Sequence, residues 1–330
     1  METPLLSVKS LTIGIRRPKG SDTIIVDDLS FDIQQGERFG IVGESGSGKS
    51  LTLRAIADLL PKGVKVLSGS ILYNGAELVG LPTAQRRKLM GPEIAMIFQE
   101  PMTALNPVIR VGDQIAEGPR RYLGLSKKAA MELAIEMMAK TGIPDPARRA
   151  RAYPHELSGG LRQRIMIAMA LSCGPKLLLC DEPTTALDVT VQHQVLKVLE
   201  ELCDDSGAAL AFVTHDLAVV NQTCSDLAVM YAGHIIEAGR VKDVFSDPRH
   251  PYTKGLLDSA PDFDQPDRDL VPIPGFPPNL AARTAGCAFA PRCAFAVDAC
   301  TVAIPPTLEV APGHKAACIE SERIFEGILA

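Results

Sequence analysis

Residues 38–57, RFGIVGESGSGKSLTLRAIA, decide the fold of this chain. An apolar strand-like stretch leads into GESGSGKS at 43–50, which matches G-x-x-x-x-G-K-[ST], and a helix-like pattern follows. Glycines let backbone N–H groups converge on phosphate oxygens, and the positive end of the following helix faces the anion. Lys49 can reach the β- and γ-phosphates, and Ser50 can ligate Mg²⁺. The pattern predicts a nucleotide site made by Gly43, Glu44, Ser45, Gly46, Ser47, Gly48, Lys49, Ser50 and Leu51.

A second motif, LLLCDE at 177–182, is typical of a buried strand that ends in two carboxylates. Asp181 can hold Mg²⁺ through its water shell. Glu182 lies one residue beyond the strand, where it can polarise a water for attack on the γ-phosphate. Strands that end in acidic residues are common, so this motif alone is weak evidence for a nucleotide site. It becomes stronger evidence because it follows Lys49 by 132 residues in a chain with alternating strands and helices.

The composition limits the function classes. The chain has 330 residues, which suggests two domains at roughly 150 residues each. Hydrophobic residues make up 46% and charged residues 22%, which excludes a mostly disordered or collagen-like chain. The net charge of −5 shows no basic footprint of a dedicated nucleic-acid binder. Without a signal peptide or an apolar run of about 18 residues, we expect a cytosolic chain that meets a membrane only through partners.

Strand-like and helix-like patterns alternate along residues 1–240. Strands are predicted at 5–15, 23–33, 38–43, 68–80, 93–101, 176–183 and 208–216, with a hairpin at 227–239. Helices are predicted at 50–60, within 111–140, at 161–173 and at 189–205, and SKKAAMELAIEMMAKTG at 126–142 is the clearest helix, with Gly142 as its C-cap. Beyond the boundary near 240, eight prolines between positions 248 and 278 argue against continuous regular structure. Residues 241–330 are therefore predicted to be a small, irregular appendage.

Four more motifs surround these two. LSGGLRQR at 157–164 opens a helix, and Gln99 lies in FQEP at a strand-to-loop junction. ALD at 186–188 follows DEPTT, and His215 ends the strand AFVTHD. Together these motifs resemble the ATP-binding subunits of ABC transporters. The resemblance implies an α/β fold. It consists of a RecA-like P-loop NTPase core, an antiparallel β-subdomain, a helical signature subdomain at about 103–170, and a Cys/Pro-rich C-terminal extension.

The resemblance also implies roles for single residues. Two such subunits pair head to tail and hold Mg-ATP between the 43–50 loop of one subunit and the signature segment of the other. Gln99, beside the surface that faces the membrane subunits, contacts Mg²⁺ or the attacking water. Glu182 is the catalytic base, His215 contacts the γ-phosphate, and Asp188 communicates across the dimer. The signature residues that meet the partner's ATP are Ser158, Gly159, Gly160 and Gln163.

The chain departs from the family pattern at two places. No aromatic residue lies between Arg16 and Ser30, where family members carry one that stacks on adenine. Ile24 or Ile25 offers only an aliphatic surface there. Leu161 stands where Met or Gln is more usual.

Three narrower signals resemble the oligopeptide/dipeptide/nickel importer branch, with the dipeptide-type subunit closest. They are QEPMTALNP at 99–107, HPYTKGLL at 250–257, and the tail with GC at 286–287, PRC at 291–293, Cys300 and Cys318. The branch implies import of a solute delivered by an external binding protein. It also implies a heterodimer with a paralogous ATP-binding subunit, two transmembrane permease subunits, and a place on the cytoplasmic face of the inner membrane. A short peptide is the expected solute; nickel, opines, glutathione and oligosaccharides remain open.

The eight cysteines fall into two groups. Cys173, Cys180, Cys203 and Cys224 lie among apolar neighbours and are predicted to be buried small hydrophobes. Cys287, Cys293, Cys300 and Cys318 have the spacing C-x5-C-x6-C-x17-C. Four thiolates suit a [4Fe–4S] cluster or tetrahedral zinc, and the lack of a C-x2-C pair disfavours zinc. Some members of the branch carry such a cluster. The alternative is four thiols without a metal.

Two other functions agree less well with the sequence. A soluble ABC ATPase that acts on nucleic acid or ribosomes usually carries two cassettes or long coiled coils, and 330 residues have room for neither. An iron–sulfur module that binds nucleotide without turnover conflicts with an intact Glu182. The sequence therefore favours an ATPase that drives import and binds no nucleic acid.

Overall fold

The computed structural model describes residues 3–17, 21–99, 104–184, 188–260, 270–278 and 285–328. The strands in these ranges are β1 (Leu6–Ile15), β2 (Thr23–Ile33), β3 (Arg38–Val42), β4 (Val64–Tyr73), β5 (Ala76–Glu77), β6 (Ile94–Ile97), β7 (Leu177–Asp181), β8 (Ala209–Thr214), β9 (Asp226–Tyr231), β10 (His234–Arg240), β11 (Leu308–Ala311) and β12 (His314–Ala316).

The helices in the same ranges are α1 (Lys49–Ala57), α2 (Thr83–Leu89), α3 (Val111–Tyr122), α4 (Lys127–Lys140), α5 (Pro146–Arg149), α6 (Gly159–Leu171), α7 (Val189–Ser206), α8 (Leu217–Thr223), α9 (Val241–Ser246), α10 (Pro251–Ser259), α11 (Ala299–Val302) and α12 (Ser321–Ile328). Two 3-10 turns lie at Pro154–Glu156 and Ala290–Arg292. Nowhere in the part of the chain that the structure describes is a helix long and apolar enough to cross a membrane.

The chain forms two compact units. The first consists of Met1–Leu5, Ile33–Glu37 and Tyr73–Phe212. The second consists of Leu6–Asp32, Arg38–Leu72 and Val213–Ala330. Since each unit is built from segments that are far apart in sequence, the division does not follow chain order. The predicted boundary near residue 240 stays a prediction.

The first unit contains a small parallel sheet and a helical layer. β6 pairs in parallel with β7, with Ile94 opposite Leu177 and Ile97 opposite Cys180, and β8 follows β7 in the sheet. β7 is buried along its whole length, which explains its unbroken apolar run. α3, α4 and α6 pack against one another. The predicted helical stretch 111–140 is two helices, because Gly124 takes a positive φ of 68° and Ser126 caps α4.

The second unit contains two sheets. One has the order β2-β1-β4, and the other has the order β11-β12-β10-β9-β3. β3 runs parallel to β9, with Gly40 opposite Leu227. The predicted hairpin is confirmed as β9–β10. Its turn places Ala232 and Gly233 at positive φ values of 51° and 86°, as tight hairpin turns require.

The tail has more regular structure than its prolines predict. β12 pairs antiparallel with β10, with Glu237 opposite Ala316, so the tail adds two strands to the sheet of the second unit. Of the prolines in described positions, Pro272, Pro274, Pro277 and Pro278 lie in a stretch without helix or strand. Pro251 is the first residue of α10, where a missing N–H costs nothing.

Candidate active site

The predicted phosphate-binding loop lies between β3 and α1 in the second unit. Gly43 has a φ of 147°, and a Cβ there would lie 2.1 Å from the carbonyl oxygen of Met230. Gly48 has a φ of 105°, and a Cβ there would lie 2.8 Å from Cγ2 of Val26. Both positions therefore need glycine for their backbone conformation and for space.

Two polar side chains of the loop are buried. Lys49 is 4% exposed, and its Nζ donates to the carbonyl oxygens of Gly43, at 2.6 Å, and Glu44, at 3.0 Å. The Lys49 side chain thus turns back so that its ammonium group contacts the backbone of its own loop. Ser47 is also 4% exposed, and within the residues that the structure describes its hydroxyl has no hydrogen-bond partner. A buried cation and a buried hydroxyl donor suit a loop that binds phosphate.

The exposure of the remaining loop residues varies. Ser45 and Gly46 are exposed, while Ser50 and Leu51 are half-buried. The loop therefore presents its middle to the solvent and buries its ends.

The first unit brings two predicted catalytic residues together. Gln99 follows the end of β6, and Glu182 follows the end of the parallel strand β7. Nε2 of Gln99 donates to Oε2 of Glu182 at 3.1 Å. Glu182 has a positive φ of 47°, an unusual conformation for a residue with a side chain. The amide fixes the orientation of the carboxylate, as a general base requires.

Asp181 ends β7 and is completely buried. Both of its carboxylate oxygens are inaccessible to solvent. A carboxylate held at a strand end in this way suits a hydrated Mg²⁺. Four residues of the 99–107 segment, Glu100, Pro101, Met102 and Thr103, lie outside the described residues.

Ser158 and Asp188 both cap helices in the structure. The Ser158 hydroxyl accepts a hydrogen bond from the N–H of Leu161 at the start of α6. The Asp188 carboxylate accepts one from the N–H of Val191, at 3.0 Å, at the start of α7. Both capping residues are exposed, so a partner could reach them. Ala186 and Leu187, which precede Asp188 in its motif, lie outside the part that the structure describes.

The other signature residues differ in exposure. Gly159 is exposed, whereas Gly160 packs so closely on α7 that a Cβ would lie 2.8 Å from Cγ1 of Val191. Gln163 is 1% exposed, so its side chain faces the interior of the first unit and not its surface. The structure therefore does not present Gln163 at the surface where its predicted contact with the partner's nucleotide would be made.

His215 belongs to the second unit, where it is exposed between β8 and α8. Asp216, the next residue, caps α8 by accepting from the N–H of Ala218 at 2.9 Å. The predicted catalytic residues are thus divided between the units, with Gln99, Asp181 and Glu182 in the first and Lys49 and His215 in the second. Ile24 and Ile25 are half-buried in β2.

Two tail residues that the sequence did not assign to the site contact the phosphate-binding loop. Arg292 forms a two-pronged ion pair with Glu44, with NH1 at 2.7 Å from Oε2 and NH2 at 3.0 Å from Oε1. The N–H of Glu44 donates to the hydroxyl of Tyr252 at 2.8 Å. All three residues belong to the second unit. Both tail residues lie in motifs already singled out, PRC and HPYTKGLL, but their local spacing indicates no contact with the loop.

All eight cysteines lie in described ranges, and no disulfide joins any of them. The prediction that the first four are buried is confirmed for three of them and is wrong for Cys173. Cys180, Cys203 and Cys224 are buried, while Cys173 is half-buried. The four tail cysteines line one small cavity of about 20 Å³, roughly the size of a water molecule.

The surroundings of Cys287, Cys293 and Cys318 favour the protonated form of the thiol. Burial raises the pKa of Cys287 and of Cys293, and it raises the pKa of Cys318 to about 11. The nearby backbone N–H groups of Phe289 and Ala290 act in the opposite direction and lower the pKa of Cys287. Donors of this kind are found around metal-bound thiolates.

The cavity does not amount to a metal centre as it stands. Among the residues with described positions, no three His, Cys, Asp or Glu side chains form a group that could hold a metal ion. The four sulfur-bearing side chains line the same cavity, but a metal ion would require their sulfur atoms to face one common point.

Comparison with known proteins gives matches in two regions. Residues 26–185 match a family model described as ABC transporter, and residues 236–300 match one described as oligopeptide/dipeptide transporter, C-terminal region. The chain is 47% identical to the oligopeptide transport ATP-binding protein OppD of Escherichia coli, across 96% of this chain and 93% of that protein. It is 46% identical to OppD of Salmonella typhimurium with the same coverage.

Solved structures of ATP-binding cassettes share the fold. A dimeric post-hydrolysis state of the cassette MJ0796, bound to ADP and Pi, is similar with a TM-score of 0.64 at 24% identity, covering 72% of this chain and 98% of that one. CbiO1 of Clostridium perfringens, part of the transporter complex cbiONQ, is similar with a TM-score of 0.63 at 27% identity, covering 74% and 92%. These likenesses confirm the predicted α/β cassette fold.

Proposed function

The chain belongs to the family of ABC-transporter ATP-binding subunits, and from that premise we propose that it powers the import of short peptides by binding and hydrolysing ATP. The observation that carries the catalytic part is the hydrogen bond between Gln99 and Glu182 at the ends of two parallel strands. The peptide substrate is supported by the relatives, which are oligopeptide transport proteins, and by the match at residues 236–300.

The nucleotide roles follow the motifs. Lys49 and the backbone of its loop bind the β- and γ-phosphates, and Ser50 ligates Mg²⁺. Asp181 holds the same ion through water, and Glu182 accepts the proton of the attacking water. Gln99 orients Glu182, and His215 senses the γ-phosphate. Mg²⁺ supplies charge neutralisation for the phosphates when it is bound.

Motion couples hydrolysis to transport. ATP binding closes two subunits head to tail, with Ser158, Gly159, Gly160 and Gln163 of one subunit against the nucleotide of the other. Asp188 then communicates across the dimer. Hydrolysis and product release reopen the pair, and permease subunits docked near Gln99 convert this motion into alternating access.

The base assignment is tested by replacing Glu182 with Gln. Phosphate release should fall by at least about 100-fold, whereas ATP binding should persist. Glu201→Gln is the matched control, since Glu201 makes the same chemical change on the exposed face of α7, beside Lys197. Hydrolysis by Glu182→Gln at the original rate would overturn the assignment.

The assembly is part of the proposal. The chain pairs with a paralogous ATP-binding subunit as a heterodimer. It also binds two transmembrane permease subunits on the cytoplasmic face of the membrane, and an external solute-binding protein delivers the peptide. Co-expression with the candidate subunits, affinity purification and uptake of di- and oligopeptides by the reconstituted complex test this arrangement. ATP-dependent uptake of nickel or a sugar in place of peptide would contradict the substrate.

The four tail cysteines are proposed to bind a metal, as a [4Fe–4S] cluster or, in the alternative, as zinc. The proposal is supported by the four thiols that line one cavity and by the backbone N–H groups that lower the pKa of Cys287. The group would tie the tail together without taking part in hydrolysis.

Metal content decides between the alternatives. The protein is purified without oxygen, its absorbance near about 400 nm is recorded, and iron, sulfide and zinc are quantified. About four irons and four sulfides indicate the cluster, and one zinc indicates the alternative. Cys293→Ser should lose the metal, whereas Cys173→Ser, whose cysteine lies outside this cavity, should keep it. A folded protein without metal would refute the site.

A further inference from the structure

The phosphate-binding loop carries an acidic side chain, Glu44, directly after Gly43. Its carboxylate is 26% exposed. A negative charge in a loop that binds a polyphosphate opposes nucleotide binding, because like charges repel strongly where water is partly excluded. ATP binding therefore requires an interaction that neutralises the Glu44 carboxylate or holds it away from the phosphates.

Arg292 of the tail supplies the opposite charge. Its guanidinium meets both Glu44 oxygens, at 2.7 and 3.0 Å, and its side chain is only 6% exposed. Planar, two-pronged pairs of this kind are stronger and more directional than single charged contacts. The hydrogen bonds with Glu44 also raise the pKa of Arg292, which keeps the guanidinium charged.

Arg292 is itself held in place by its neighbours. Its Nε donates to the carbonyl oxygen of Pro274 at 2.8 Å, and its NH1 lies 3.3 Å from the hydroxyl of Tyr231. The guanidinium carbon lies 5.9 Å from the ring centres of both Tyr231 and Phe289. The position of the positive charge is therefore set by the fold of the tail.

A second tail residue holds the backbone of Glu44. The buried hydroxyl of Tyr252 accepts from the Glu44 N–H at 2.8 Å. The Tyr252 ring packs against Tyr231, at 4.6 Å between ring centres, and against Phe289, at 5.4 Å. The aromatic cluster Tyr231–Tyr252–Phe289 thus supports both contacts with the loop.

We propose that Arg292 and Tyr252 are positioning residues for the phosphate-binding loop: Arg292 neutralises Glu44 and turns its carboxylate away from the nucleotide, and Tyr252 fixes its backbone. The C-terminal tail thereby sets the affinity for ATP. This inference rests on the ATP binding of the proposed function and adds a role for the tail in it.

A charge-rescue experiment on the full-length chain tests the idea. ATP affinity is measured by titration calorimetry for the wild type, Arg292→Ala, Glu44→Gln and the double variant. Removing Arg292 exposes an uncompensated carboxylate and should weaken ATP binding about ten-fold. Glu44→Gln removes that charge, so the double variant should return to within about three-fold of Glu44→Gln alone. Arg323→Ala, an exposed tail arginine paired with Glu320, is the matched control and should bind ATP normally.

Two further readouts separate positioning from simple loss of structure. KM for ATP should rise about ten-fold in Arg292→Ala while kcat at saturating ATP stays within about two-fold. The loss should shrink at high salt, because salt screens the repulsion. Arg292→Lys keeps the charge but not the fork and should lie between Arg292→Ala and the wild type, which preserves the test should Arg292→Ala fold poorly. Tyr252→Phe should weaken binding by a few-fold.

The outcomes are distinct. Wild-type ATP affinity in Arg292→Ala, or a double variant as weak as Arg292→Ala alone, would overturn the positioning role while leaving the proposed function intact. A wild-type protein that binds no ATP would overturn both.

Discussion

Glu237 is the buried carboxylate on which the contact between the tail and the second unit depends. It lies in β10, is 0% exposed, and accepts hydrogen bonds from the N–H groups of Arg249, at 2.6 Å, and His250, at 2.9 Å. Its other partner is Nε2 of His314 in β12, at 2.7 Å. One side chain therefore joins the sheet, the segment before α10 and the last strand of the tail.

Replacing Glu237 with Ala leaves two backbone donors and a buried imidazole without their acceptor. Each buried polar group left unsatisfied costs about 1–3 kcal/mol, and breaking a buried charged network typically costs about 3–5 kcal/mol in all. We expect the free energy of unfolding to fall by about 3–5 kcal/mol. Glu237→Gln keeps one acceptor oxygen and should cost less.

Urea unfolding followed by circular dichroism measures the loss, since the chain has no tryptophan to report by fluorescence. Hydrogen exchange at the N–H groups of Arg249 and His250 should also become faster. Glu309→Ala is the control, because Glu309 is exposed and bonds only locally, to the N–H of Gly313; it should stay within about 0.5 kcal/mol of wild type. A loss below about 1 kcal/mol for Glu237→Ala would refute the reasoning.

Three further predictions concern single residues. Burial lowers the pKa of His250 to about 3, so between about pH 6.5 and 3 only the unfolded chain binds a proton at this residue. The free energy of unfolding should therefore fall as the pH drops from about 6.5 to 3. In urea unfolding measured at a series of pH values, His250→Asn should show less of this fall. Gly43→Ala should abolish ATP binding, whereas Gly46→Ala, where nothing lies within 4 Å, should retain it at a strain cost of about 1 kcal/mol, and equal calorimetric affinities would contradict this. Gln99→Ala should lower kcat about ten-fold at unchanged ATP affinity, because Glu182 loses its partner; an unchanged rate of phosphate release would refute that role.

Much of the local structure follows from the order of residues. The strand–loop–helix unit around Lys49, the hairpin at 227–239 and the buried strand before Asp181 were all predicted, and β3–α1, β9–β10 and β7 confirm them. Each depends on features within a few residues: side-chain periodicity, glycine at positive φ, and unbroken apolar runs. The helix at 126–142 was predicted and is confirmed as α4, but the end of α3 before it was not located, although Gly124 carried the signal.

The tail shows where local patterns stop being informative. Its prolines predicted irregular structure, yet β12 joins the sheet because its partner β10 offers a free edge and Glu237 offers a buried acceptor to His314. Neither the edge nor the acceptor can be recognised from the tail itself. Both come from residues that are more than 70 positions away.

The sequence by itself determined the strand–loop–helix unit around Lys49, the hairpin at 227–239, the buried strand before Asp181 and the family, because these depend on backbone preferences and motifs that span a few residues. Only the tertiary structure decided that Arg292 meets Glu44 across 248 positions and that Tyr252 holds the same residue from 208 positions away. Contacts at such separations arise when whole helices and strands pack together. No periodicity or motif spacing in the sequence indicates which distant residues will meet. The role of the tail at the nucleotide loop could therefore be found only in the folded molecule.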